Sequence, residues 1–186
     1  MDIRPTSDRL RETLFNVLTA GNPDVLRGSV WLDLFAGTGA VGIEALSRGA
    51  AKIFFVEASA AAVKVIHENL RSLKIASGVE VIQSDTAKAL GRLRVSEISP
   101  DFVFLDPPYR LEQTYYDTLQ QLAEESCWKT TAIVIAEHLK KFDPGDRFGS
   151  LARFRTLHQG DAGLSFYRRT TGPDGRPGVD KPEPLT

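Results

Sequence analysis

The chain has 186 residues, 42% hydrophobic and 25% charged, which suits one domain with a buried core and excludes a disordered chain. Lys plus Arg number 23 and Asp plus Glu 24, a formal charge of -1 that argues against a protein built mainly to grip phosphate backbones. A single cysteine, Cys127, excludes a disulfide framework and a cysteine-rich zinc site.

In chain order, residues 6–20 predict a helix entered through Pro5 and Thr6, with Leu10, Leu14, Val17 and Leu18 on one face. Residues 30–34 read as a short buried strand that opens the core from residue 29, followed by a glycine-rich turn and a helix over 39–49. A strand at 52–56 and a helix at 59–74 come next, then a strand at 79–82 and a helix at 86–94. A strand at 102–105, a helix at 112–125 and a strand at 132–136 complete the alternation. Continuous apolar strands separated by helices indicate an α/β fold with a parallel sheet covered on both faces. Residues 151–158 and 163–169 read instead as an antiparallel hairpin. The expectation is one domain over 1–170 and a disordered tail over 171–186, where four Pro and three Gly fall in 16 residues.

Between the first strand and its helix stand Asp33, Leu34, Phe35, Ala36, Gly37, Thr38, Gly39, Ala40, Val41 and Gly42, a G-x-G-x-x-G run. Glycines there permit a tight turn and let a ligand approach the backbone, while the helix start offers free N–H groups. Glu57 ends the next strand 20 positions after Gly37, where an acid accepts hydrogen bonds from ribose hydroxyls. A plain strand-to-helix connection explains the glycines alone; strand, helix and Glu57 together point to a nucleoside cofactor lying on Phe35, Ala36, Gly37, Thr38 and Gly39. Both a dinucleotide and S-adenosylmethionine remain open. Asp33 favours the second, because a carboxylate suits an ammonium group and opposes a pyrophosphate. Asp85, with Thr86 next, ends the third strand and has two readings: an acceptor for the adenine amine, or the N-cap of the following helix.

The fourth strand delivers Asp106, Pro107, Pro108 and Tyr109 to the same edge. Two prolines remove two backbone donors, so the turn presents acceptors, and Tyr109 adds a flat face for a base. Acceptors beside an aromatic plate suit the exocyclic amine of a nucleobase, whose lone pair is freed for attack when both N–H bonds are accepted. In isolation the same tetrapeptide is also an ordinary strand-ending turn.

The Asp33–Gly39 and Asp106–Tyr109 runs resemble the amino-directed class I S-adenosylmethionine-dependent methyltransferases. Segment 4–16, starting Arg4-Pro5-Thr6, and segment 42–50 narrow the resemblance to the RsmD family, which methylates a guanine N2 in bacterial small-subunit ribosomal RNA. The resemblance covers roughly residues 3–169. It implies a seven-stranded Rossmann-like sheet ending in an antiparallel hairpin, with S-adenosyl-L-methionine as cofactor. It places Asp33, Gly37, Gly39, Glu57 and Asp85 at the cofactor and Asp106, Pro107, Pro108 and Tyr109 at the acceptor base. Arg4, Thr6, Arg9 and Asn16 would border the cofactor's methionine end or the RNA. Family members usually carry a further basic β element ahead of the Arg-Pro-Thr run, a stretch missing here, which bears on RNA affinity.

The implied partner is ribosomal RNA or a small-subunit assembly intermediate, met by a monomer. Apolar stretches such as 53–56 and 132–136 are far shorter than the roughly 20 residues of a membrane helix, and no leader follows Met1, so no membrane and a cytoplasmic location are expected. His67, His138 and His158 show no ligand spacing, read as surface or core residues, and no metal is expected. Arg147, Arg153, Arg155, Arg168 and Arg169 cluster near the hairpin, ordinarily a solvated face, with RNA contact the second reading. Competing functions are the same chemistry on DNA adenine or cytosine, on another RNA or on a protein amide, an NAD-dependent oxidoreductase, and a non-enzymatic RNA-binding module.

Overall fold

The computed structural model describes residues 8–95, 98–124 and 128–170. Arg4, Thr6, Cys127 and the 171–186 segment lie outside the described residues. Helix α1 spans Asp8–Thr19, α2 Ala40–Ser47, α3 Ala60–Ser72, α4 Thr86–Val95 and α5 Glu112–Glu124. The strands are β1 Val30–Leu34, β2 Lys52–Glu57, β3 Val79–Gln83, β4 Phe102–Leu105, β5 Ile133–Leu139, β6 Arg147–Phe148, β7 Leu151–Gln159 and β8 Ala162–Arg169.

They form one sheet in the order β3-β2-β1-β4-β5-β8-β7-β6, with β1 to β5 parallel and the last three antiparallel to their neighbours. Eight strands replace the seven expected. The extra one is the two-residue β6, which folds back on β7 across Gly149 at φ 49 and is too short for any alternation to show in the sequence.

Alternation sends successive side chains to opposite faces. Leu32, Leu34, Phe54, Val56, Val103, Leu105, Val134 and Ala136 pack one face against α4 and α5. Trp31, Ile53, Phe55, Phe102, Phe104, Ile135, Leu164 and Phe166 pack the other against α1, α2 and α3. In that second layer Trp31 stacks on Phe102 at 4.7 Å and meets Phe15 of α1 at 5.5 Å. Among the described residues no helix is long and apolar enough to cross a membrane.

The strand order turns back between β1 and β4. The chain runs outward from β1 through β2 to β3, then returns to lay β4 on the other side of β1. Ligands of open α/β sheets bind beyond the carboxyl ends of strands at such a switch point.

Candidate active site at the carboxyl edge of the sheet

The register aligns the edge. Leu34 pairs with Val56 on one side and Leu105 on the other, and Leu105 pairs with Ala136. One residue further along four adjacent strands therefore stand Glu57, Phe35, Asp106 and Glu137. The glycine turn and the Asp106–Tyr109 turn lie side by side because their strands end level.

Each glycine of the run has its own physical task. Gly37 and Gly39 take φ values of 54 and 77, the left-handed region that a Cβ disfavours. Gly39 is the N-cap of α2 with no side-chain cap, which leaves the helix start open to an outside acceptor. Gly42 is a packing position: a Cβ there would lie 2.4 Å from Phe55 Cε1 and 2.7 Å from Ile53 Cγ2. Phe35 holds φ 60 without being glycine, a strained backbone at the head of the turn.

Two acids hold the turn. Glu57 Oε2 accepts from Gly37 N–H at 2.9 Å and Oε1 from Ser59 N–H at 2.7 Å, and each oxygen keeps a second lone pair. Asp33 is 2% exposed, and its Oδ2 accepts from Gly42 N–H at 3.0 Å. Burial, offset in part by that bond and reinforced by Glu57, pushes Asp33 up to about 8. A carboxyl raised in the folded state stabilises the fold below its ordinary 3.8, and that contribution is lost as pH rises through about 8. Asp33→Asn keeps an acceptor for Gly42 and removes the titration. Its melting temperature should gain on the wild type progressively between about pH 4 and 8. A constant difference across that range in paired thermal scans contradicts this.

Asp85 is the N-cap of α4: Oδ1 accepts from Lys88 N–H at 2.9 Å and Oδ2 pairs with Lys88 Nζ at 3.0 Å. These bonds to Lys88 hold its carboxyl below the usual range. Of its two readings, the capping one is the bond that is present. Thr86, the first residue of α4, is buried. The Thr38 carbonyl accepts from Asn69 Nδ2 at 2.9 Å, a support from α3 that the sequence did not signal.

In the second turn Asp106 and Tyr109 are half-buried, Pro107 buried and Pro108 exposed. The Tyr109 hydroxyl donates to Glu137 Oε1 at 3.2 Å. The Tyr115 hydroxyl donates to the Glu137 carbonyl at 2.8 Å and lies 3.4 Å from the Pro107 carbonyl. Burial first, then the nearby Asp106, raises the Tyr115 phenol above its ordinary value.

Glu137 and His138 are corrections to the strand expected at 132–136. β5 runs to Leu139, because β8 covers it by pairing Glu137 with Leu164 and His138 with Gly163. The polar pair resembles a strand end, yet both side chains are buried. His138 is a core residue bonded to Ser165 Oγ at 2.9 Å, and burial lowers it. His67 and His158 are exposed, and no three His, Cys, Asp or Glu among the described residues converge on a metal position.

Arg9 and Asn16 are exposed on α1, which packs on the same face as Asp33 through Leu10, Leu14 and Phe15. Neither shares a bond with the glycine turn or the Asp106 turn among the described residues. The hairpin arginines divide. Arg153 is ion-paired to Asp143 and Asp146, and Arg168 lies over the Phe154 ring, level with Ile133 at the amino end of β5. An open hollow of about 590 Å³ beside His67, Arg71 and Lys74 sits at the amino end of β3, away from both turns.

The family model described as Conserved hypothetical protein 95 matches residues 1–168. The chain is 32% identical over 166 residues to the Bacillus subtilis (strain 168) protein named "Putative rRNA methyltransferase YlbH", covering 89% of this chain and 88% of that protein. It is 37% identical over 138 residues to the Haemophilus influenzae protein named Ribosomal RNA small subunit methyltransferase D, covering 73% and 67%. A conserved hypothetical protein of Streptococcus pyogenes has a similar solved structure, with TM-score 0.74, 27% identity and coverage of 86% and 94%.

Proposed function

The chain belongs to the Conserved hypothetical protein 95 family, the RsmD family of ribosomal RNA methyltransferases, and we propose that it transfers a methyl group from S-adenosylmethionine to the exocyclic N2 amine of a guanine in small-subunit ribosomal RNA. The observation that carries this reading is the level pairing of Leu34 with Leu105, which sets a nucleoside-type glycine turn beside an acceptor-only turn with an aromatic plate.

The residues fit the cofactor. Asp33 Oδ1 is buried and has no hydrogen-bond donor among the described residues, which suits an ammonium group whose positive charge would draw the carboxyl back to its ionised form. The glycine turn leaves backbone accessible, and Glu57 retains lone pairs for ribose hydroxyls. When bound, S-adenosylmethionine supplies an electrophilic methyl on a sulfonium centre. Asp106 and the Pro107 carbonyl accept the two N–H bonds of the guanine amine, so its nitrogen lone pair is no longer fully drawn into the ring. Tyr109 stacks on the base and fixes its plane, a contact typically worth about 1–3 kcal/mol. Asp106, an acceptor in its ionised form, stabilises the positive charge that grows on the amine as it is alkylated. No base acts before attack, since the amine becomes acidic only as it is alkylated, and the surplus proton then passes to solvent. Alignment is the main contribution, up to about 7–11 kcal/mol in favourable cases.

Charge at this edge supports an RNA substrate. Arg110 follows Tyr109, and Lys140 and Lys141 follow β5; all three are exposed and in no ion pair among the described residues. Reversing both lysines (Lys140→Glu with Lys141→Glu) should weaken RNA binding and flatten its salt dependence by roughly 0.7 in log–log slope per lost phosphate contact. Filter binding across a salt series checks this, and an unchanged slope places the phosphates elsewhere.

Two assays test the reading itself. Calorimetry should show binding of S-adenosylhomocysteine and none of NAD. Labelled cofactor should then mark small-subunit RNA. Binding of NAD alone, or label on DNA and none on ribosomal RNA, overturns it.

A further inference from the structure

A buried carboxylate is costly unless donors surround it. Glu137 is 2% exposed, yet the bonds described for it lead to the neighbouring turn. Its Oε1 accepts from the Tyr109 hydroxyl, and its main-chain carbonyl accepts from Tyr115, whose hydroxyl also reaches Pro107. One residue of β5 thus meets the Asp106–Tyr109 turn at two points: the ring of Tyr109 directly, and the Pro107 carbonyl by way of Tyr115. Stacking a base needs only an aromatic face, which phenylalanine also provides. Stacking makes no use of the Tyr109 hydroxyl, and that hydroxyl donates to a buried carboxylate on β5.

We infer that Glu137 is a positioning residue for the acceptor site, locking the Tyr109 ring in the plane that receives the target base. The inference rests on the reading of Asp106–Tyr109 as that acceptor site. Fixing the ring in advance removes an ordering cost that a base would otherwise meet on arrival. Looseness at such a site is expensive, since a displacement near 1 Å can cost about a hundredfold in rate. A role confined to ending β5 would leave the Tyr109 ring indifferent to the acceptor at position 137.

The test uses the full chain with 3-fluorotyrosine in place of its four tyrosines. The Tyr109 fluorine signal is assigned by its loss in Tyr109→Phe. Glu137→Met keeps length and removes the acceptor, whereas Glu137→Gln keeps a carbonyl oxygen for the hydroxyl. In Glu137→Met the Tyr109 signal should shift and sharpen while that of Tyr167 stays in place. Transfer to small-subunit RNA should fall about tenfold to a hundredfold, mainly through KM for RNA, with S-adenosylhomocysteine affinity unchanged. Glu137→Gln should retain most of the activity and the native signal. Combining Glu137→Met with Tyr109→Phe should cost little more than Tyr109→Phe alone.

An unmoved Tyr109 signal in folded Glu137→Met overturns the inference, as does a double variant whose losses add in full. Should Glu137→Met fail to fold, Tyr109→Phe breaks the same bond from the other side and must then raise KM for RNA; an unchanged KM overturns the inference equally. A wild-type chain that transfers nothing to RNA, while its Tyr109 signal still answers to position 137, leaves the positioning contact standing and removes the acceptor reading beneath it.

Discussion

Asp106→Ala should lower methyl transfer by about two to three orders of magnitude, the loss typical when one preorganised electrostatic partner of a reacting group is removed. S-adenosylhomocysteine affinity should hardly change. The reason lies in the layout of the edge. Asp106 stands one residue past Leu105 on β4, whereas the glycine turn, Asp33 and Glu57 belong to β1 and β2. Their bonds run among themselves, from Gly37 to Glu57 and from Gly42 to Asp33. Asp106→Asn keeps one carbonyl acceptor but adds N–H donors, and should fall between wild type and alanine. Single-turnover transfer with calorimetry on the same preparations separates the two effects. Near-normal turnover in Asp106→Ala removes this carboxylate from the mechanism.

Gly42→Val should strongly destabilise the fold. Its first added carbon alone would meet Phe55 at 2.4 and 2.8 Å and Ile53 at 2.7 Å, and both of those side chains are fully buried. Neither has space to retreat, so α2 must lift from β2. Overpacking of this kind costs about 1–3 kcal/mol, and the upper end applies where the neighbours cannot yield. For a chain of this size that lowers Tm by roughly 6–12 °C. Lifting α2 also draws the Gly42 N–H away from Asp33 Oδ2, so cofactor affinity should fall with stability. Gly91→Ala is the control: nothing lies within 4 Å of a Cβ there, in the middle of α4, and it should be neutral or stabilising by about 0.5–1 kcal/mol. Thermal melts that rank the two the other way contradict the packing account.

The parts of this structure that the sequence reveals are those governed by local chemistry. Apolar strands set against amphipathic helices mark β1 to β5, and Gly37 with Glu57 marks the first turn through backbone freedom and spacing. Two prolines after an acid mark the second. What stays hidden depends on partners far along the chain. Glu137 resembles a strand end until β8, from Ala162 to Arg169, covers it. Asp85 looks equally suited to a ligand or a cap, and the Lys88 backbone supplies the capping bond. Arg153 belongs to an apparent basic cluster, but Asp143 and Asp146 absorb its charge. The same applies to the near-neutral total. Acids concentrate at the glycine turn while Arg110, Lys140 and Lys141 stand at the rim, so a chain-wide balance conceals a local division.

The central claim is that a guanine amine receives the methyl group between Asp106 and Tyr109. Its most direct test incubates the protein and labelled S-adenosylmethionine with small ribosomal particles and naked RNA from cells lacking this gene, then digests the RNA to nucleosides. Label should appear in N2-methylguanosine and be lost in Asp106→Ala; label in any other nucleoside, or none on small-subunit RNA, contradicts transfer to a guanine amine at this site.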